Sequence, residues 1–120
     1  MSLHESAEMY LETIYTLSLS KSAVRSIDIA EALGYSRPSI SRAVGLLKNG
    51  GYLLVEKDGS LILTEMGHAV AEKVFERHTV LSNLLVRLAV SQDVAAEDAC
   101  KIEHVISDET FAAIKNYVRG

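Results

Sequence analysis

The chain has 120 residues, one cysteine and a formal net charge of −4, which excludes an internal disulfide framework and gives no overall positive field for phosphates. An apolar share of 48% suffices for a core. No apolar run reaches membrane-spanning length and no charged-then-apolar leader opens the chain, so it reads as soluble and cytoplasmic.

Met1 to Leu3 are set aside from the fold reading. From Glu5 to about Leu19 the apolar residues Ala7, Tyr10, Leu11, Ile14 and Leu17 follow the i, i+3, i+4, i+7 spacing of a helix with one buried face. Met9 falls on the opposite side, beside Glu5 and Glu12, away from the stripe a core methionine would join. A polar connection, Ser20 to Arg25, leads to a short helix, Ile27 to Leu33, capped by Ser26 and carrying Asp28 in its first turn.

The stretch AEALGYSRPSISRAVGLLK, Ala30 to Lys48, predicts a helix-turn-helix. Ala30 is small at the crossing, Gly34 suits the turn and Ile40 is the buried anchor. Ser36 caps the second helix, and Pro38 stands in its first turn, where a missing N–H costs least. At about 100° per residue, Ile40, Ala43, Val44 and Leu47 gather on the core side and Pro38, Ser41, Arg42, Gly45 and Asn49 on the other. Small residues let a helix enter the major groove, where Arg42 can hold guanine O6 and N7. Ser36, Arg37, Pro38, Ser39, Arg42 and Lys48 form the predicted DNA-facing set, with Arg37 and Lys48 suited to phosphates. From Ser36 to Lys57 the chain carries four basic residues against one acid, so a cationic head sits in an acidic chain.

Asn49-Gly50-Gly51 stops that helix. YLLVEKDGSLILT then predicts a hairpin turning at Lys57-Asp58-Gly59-Ser60, the wing of a winged helix, with Lys57 at its tip for a backbone phosphate. Thr64 caps a long helix to about Ala89, with Met66, Val70, Val74, Leu81, Leu84, Leu85 and Leu88 as its apolar stripe and His78 at the edge. Asp93 is the expected cap of a helix over Val94 to Ile106, and Ser107 of a last one to about Val118. The apolar surface of these helices exceeds what one small chain hides, so a homodimer is expected.

Within the penultimate helix Ala95, Ala99, Ile102 and Ile106 read as buried, with Cys100, Glu103 and His104 together on the other side. Thiolate, carboxylate and imidazole on adjacent turns can converge on one ion. A nucleophile–base pair, Cys100 with His104, is the enzyme alternative; it lacks a third orienting group and an oxyanion site. A metal-independent winged-helix regulator, with a structural Cys/Glu/His cluster, is the other.

The motifs EMYLETIY, AEALGYSRPSISRAV, LILTEMGHAVA, RHTVLSNLL and DACKIEHVISDE resemble the diphtheria-toxin-repressor family of metal-dependent transcriptional repressors, which includes the manganese transport regulators. The resemblance implies a mainly α fold, with residues 1–64 a winged helix-turn-helix DNA-binding domain and 65–120 a helical metal-binding and dimerisation domain. It implies a repressor of metal-homeostasis genes, not an enzyme, that binds double-stranded operator DNA with Fe²⁺ or Mn²⁺ as co-repressor. By motif, Met9, Cys100, Glu103 and His104 match the primary site of the iron-responsive members, while Glu12 and His78 match ligands of the manganese branch. Ser82 and Ala96 replace the acid and histidine of the iron-responsive ancillary site, and Arg42 replaces a glutamine. Sulfur at Met9 and Cys100, where the manganese branch has carboxylates, tilts preference toward Fe²⁺.

Overall fold

A computed structural model describes residues 5–119; Met1 to Leu3 lie outside them. The described residues form α1 (Glu5–Ser18), α2 (Ser26–Leu33), α3 (Arg37–Asn49), β1 (Leu53–Val55), β2 (Leu61–Leu63), α4 (Glu65–Arg87), α5 (Gln92–Ile102) and α6 (Asp108–Arg119). The fold is mainly helical with one small antiparallel sheet, as expected. It divides into two compact units, Met1–Glu72 and Lys73–Gly120. No helix among the described residues is long and apolar enough to cross a membrane.

The first unit is built on the apolar positions of α1, α2 and α3. Leu11, Ile14, Val24, Ile29, Ile40, Leu47, Leu53, Leu61 and Ala71 form one buried cluster, with Ala7, Tyr10, Leu17 and Val44 packed against it. Each such Leu or Ile contributes about 1.5–3 kcal/mol by leaving water. Gly34 takes the left-handed turn conformation (φ 71°) between α2 and α3, and its N–H donates to Ala30 at 2.8 Å. The Ser36 hydroxyl accepts from Ser39 N–H at 3.4 Å, capping α3. Arg25, not Ser26, is the cap residue of α2; its backbone N–H donates to the Asp28 carboxylate at 2.8 Å, so the acid in the first turn reaches back to the residue outside the helix.

The wing pairs Leu53 with Leu63, Leu54 with Ile62 and Val55 with Leu61. Its turn closes through Gly59 N–H to the Glu56 carbonyl at 3.0 Å, with Gly59 at φ 89°. Thr64 then caps α4, its hydroxyl accepting from Gly67 N–H at 3.1 Å. The start of α4 departs from the expected stripe: Met66 is exposed, while Gly67 and Ala71 are buried. Gly67 lies so close to the Tyr52 carbonyl that a Cβ there would stand 2.0 Å from its oxygen. Close backbone approach at Gly67 adds to the packing of Ala71 in the core in seating this end of the helix.

In the second unit Val74, Leu81, Ala95, Ala99 and Phe111 are buried. Leu88, expected in the stripe, is exposed, because α4 ends at Arg87 and Ala89 turns with a positive φ of 73°. Ser91, not Asp93, is the residue at the cap of α5; Asp93 falls in its first turn. Regular α5 also stops at Ile102, short of the expected Ile106. Ser107 caps α6 as expected, its hydroxyl accepting from Thr110 N–H at 3.1 Å.

Candidate metal centre and nucleic-acid interface

Because α5 ends at Ile102, Cys100 lies in its last turn while Glu103 and His104 occupy the turn that follows. Glu103 keeps helical angles and its N–H still donates to Ala99 at 2.9 Å, so the i, i+3, i+4 convergence survives the end of the helix. Single donor atoms of Cys100, Glu103 and His104 all lie within 4.8 Å of one another. Cys100 is half-buried, and the His104 side chain is 5% exposed. Glu103, assigned to the face away from the core, is instead completely buried. The reason is α4, whose Arg77 and His78 close over it.

His78 Nδ1 lies 2.9 Å from one Glu103 carboxylate oxygen, and His104 Nε2 lies 3.4 Å from the other. A buried carboxylate is costly unless positive charge or hydrogen-bond donors meet it. Two imidazoles and a thiol around such a group are the donor chemistry of a borderline divalent cation. Met9 and Glu12 belong to the first unit, both half-buried on α1, with the Thr13 hydroxyl donating to the Met9 carbonyl at 2.8 Å. Of the ancillary positions, Ser82 is half-buried and Ala96 exposed.

The cap residue Ser36 and, on α3, Arg37, Pro38, Arg42 and Lys48 are exposed, as is Lys57 in the wing turn. Ser39 is half-buried, since its N–H and hydroxyl are both engaged with Ser36. A Cβ at Gly45 would meet nothing within 4 Å, so that face of the helix is open.

Two residues escaped the sequence reading. Arg25, read as part of a polar connection, donates through Nε to the Asp58 carbonyl at 3.2 Å and pairs with its carboxylate at 3.3 Å, bracing the wing turn. Arg77 is buried and donates to the carbonyls of Glu103 and Ile106. A signal for it existed: it stands on the α4 stripe between the buried Val74 and Leu81, where an apolar residue belongs.

The described residues thus carry a winged helix-turn-helix with exposed basic residues and a helical unit in which thiol, carboxylate and imidazole donors converge. Residues 2–61 match the model of the iron-dependent repressor N-terminal DNA-binding domain, and residues 64–119 that of the iron-dependent repressor metal-binding and dimerisation domain. The chain belongs to the iron-dependent repressor family.

It is 33% identical to the transcriptional regulator MntR of Salmonella typhimurium over 104 residues, covering 87% of this chain and 66% of that one. Similarity to the diphtheria toxin repressor of Corynebacterium jeikeium is 36% identity over 108 residues, 89% of this chain and 45% of that one. Among solved structures, a manganese-dependent transcriptional repressor in complex with manganese matches with a TM-score of 0.87 at 29% identity, over 94% of this chain and 52% of that one. The chain thus spans slightly less than two thirds of the Salmonella typhimurium regulator and about half of the longer repressors.

Proposed function

We propose that this chain is a metal-dependent transcriptional repressor, acting as a cytoplasmic homodimer on double-stranded operator DNA of metal-homeostasis genes, with Fe²⁺ or Mn²⁺ as co-repressor. The observation that carries this reading is the fully buried Glu103 carboxylate among His78, Cys100 and His104. Relatives named for manganese and for iron agree with it.

Cys100, Glu103, His104 and His78 would hold the cation, and motif resemblance adds Met9 and Glu12 of α1 to the set. A bound divalent cation supplies the counter-charge the buried carboxylate needs. The chain's own part is mechanical and electrostatic. Met9 and Glu12 sit on the helix whose Leu11 and Ile14 share a core with Ile29 and Ile40 of the helix-turn-helix. Holding α1 therefore holds α3, and an ordered reading helix loses less entropy on DNA. Ser36, Arg37, Pro38, Ser39, Arg42 and Lys48 then face the duplex with Lys57, and neutralised acids repel phosphates less.

The test is operator binding titrated with Mn²⁺ and, anaerobically, with Fe²⁺, with metal stoichiometry measured on the same sample. Operator affinity should rise with metal and collapse on chelation. Affinity indifferent to chelator would instead identify a metal-independent winged-helix regulator.

A further inference from the structure

Arg77 has no place in the ligand set, yet it is among the most buried charged residues described, at 7% exposed. Arginine tolerates burial only where its planar fork is matched by acceptors. Nη1 donates to the Glu103 carbonyl at 3.1 Å and to the Ile106 carbonyl at 2.8 Å, and Nη2 donates to the Asp108 carboxylate. Phe111 supports the guanidinium from 5.5 Å, and Lys73 holds the same Asp108 oxygen at 3.0 Å.

These acceptors bracket the candidate ligands. The Glu103 carbonyl belongs to the peptide unit that joins Glu103 to His104, and a peptide unit is planar from one Cα to the next. Anchoring its oxygen therefore sets the direction of both ligand-bearing Cα atoms at once. The Ile106 carbonyl and Asp108 close the turn on its far side. The last carbonyls of a helix have no intrahelical partner, and here one guanidinium takes the carbonyl of Glu103, the cap residue of α5, and that of Ile106 beyond it. Its neighbour His78 meets the Glu103 carboxylate, so α4 grips Glu103 at backbone and side chain together.

We propose that Arg77 is a positioning residue of the metal centre, locking the Glu103–His104 peptide so that the donors of Cys100, Glu103 and His104 stay converged. This rests on the metal-site reading above. Partners one step removed from the ligands typically tune affinity by roughly 10–100-fold when lost.

The test uses the full chain with Co²⁺ as probe, whose visible bands report coordination geometry and whose near-ultraviolet thiolate-to-metal band reports Cys100. Arg77→Lys keeps the charge and removes the fork. Lys115→Met removes a different contact between α4 and α6, the pair with Glu76 at 2.8 Å, and leaves the Glu103 peptide untouched. Arg77→Lys should weaken Co²⁺ binding by roughly 10–100-fold and alter the thiolate band at saturation. Lys115→Met should keep affinity and band, whatever its melting temperature. Wild-type affinity and spectrum in Arg77→Lys would overturn the proposal, as would affinity falling in both variants in step with thermal stability. A wild-type chain that binds no Co²⁺ would refute the metal site itself, and this role with it.

Discussion

His78 Nδ1 and a Glu103 carboxylate oxygen stand 2.9 Å apart, with the acid wholly buried and the imidazole side chain 31% exposed. The pair joins residues 25 positions apart in sequence, and it brings an imidazole from α4 to the cluster that closes α5. A carboxylate so enclosed is poorly hydrated, and its stability depends on what its neighbours offer.

Glu103→Gln should therefore uncouple stability from metal. At a Mn²⁺ concentration about 100 times Kd, the wild type should gain about 2.7 kcal/mol of unfolding free energy, and the variant almost none. Its metal-free stability should be maintained or raised, because an amide is easier to bury than a carboxylate. Calorimetric melts with and without Mn²⁺ decide it; a variant still stabilised like the wild type would place the ion elsewhere.

Arg42 and Lys57 are both exposed cations, yet their losses should differ in kind. Arg42→Ala should cost about 1–3 kcal/mol on the preferred operator and relax discrimination at one base pair. Lys57→Ala should weaken all sequences alike and lower the salt dependence of binding by about one ion. Competition binding against an operator library, repeated at two salt concentrations, separates the two.

Gly67→Ala should destabilise the first unit by about 1–3 kcal/mol or more, since the added methyl falls 2.0 Å from the Tyr52 carbonyl oxygen, a backbone atom that moves only with the wing. Urea unfolding followed at the tyrosines measures the loss, and an unchanged midpoint would contradict the packing described.

Ala89→Gly should act in the opposite direction. Ala89 holds φ at 73°, a conformation costing a Cβ-bearing residue about 1–2 kcal/mol. Glycine avoids that but loses about 0.5–1 kcal/mol more backbone entropy on folding. A net gain of about 0.5–1 kcal/mol is expected from these two terms, read as a higher urea midpoint.

Acid should loosen both units through three aspartates. Hydrogen bonding and charge from Lys73 hold the Asp108 carboxyl below its ordinary value of 3.8. The Arg25 N–H does the same for Asp28, and the Ser60 N–H for Asp58. A carboxyl whose folded value is depressed stabilises the fold above its unfolded value, and that contribution disappears as pH falls through the folded one. Stability should thus be level at neutral pH and decline below about pH 5. Asp108→Asn should flatten the decline; chemical denaturation across that pH range tests it.

Much of this was legible from local chemistry. Ser36, Pro38 and Gly34 mark the helix-turn-helix because capping, a fixed φ and a left-handed turn are satisfied within a few residues. The wing turn and the Ser107 cap are local for the same reason. Nearness of Cys100, Glu103 and His104 also follows from helical spacing alone. What neighbouring residues do not encode is which side of that turn is buried. Periodicity assigned Glu103 to the outside, whereas Arg77 and His78, far away in the chain, enclose it, one holding its backbone carbonyl and the other its carboxylate. Burial of a charge is decided by long-range partners, because only they replace the water it loses.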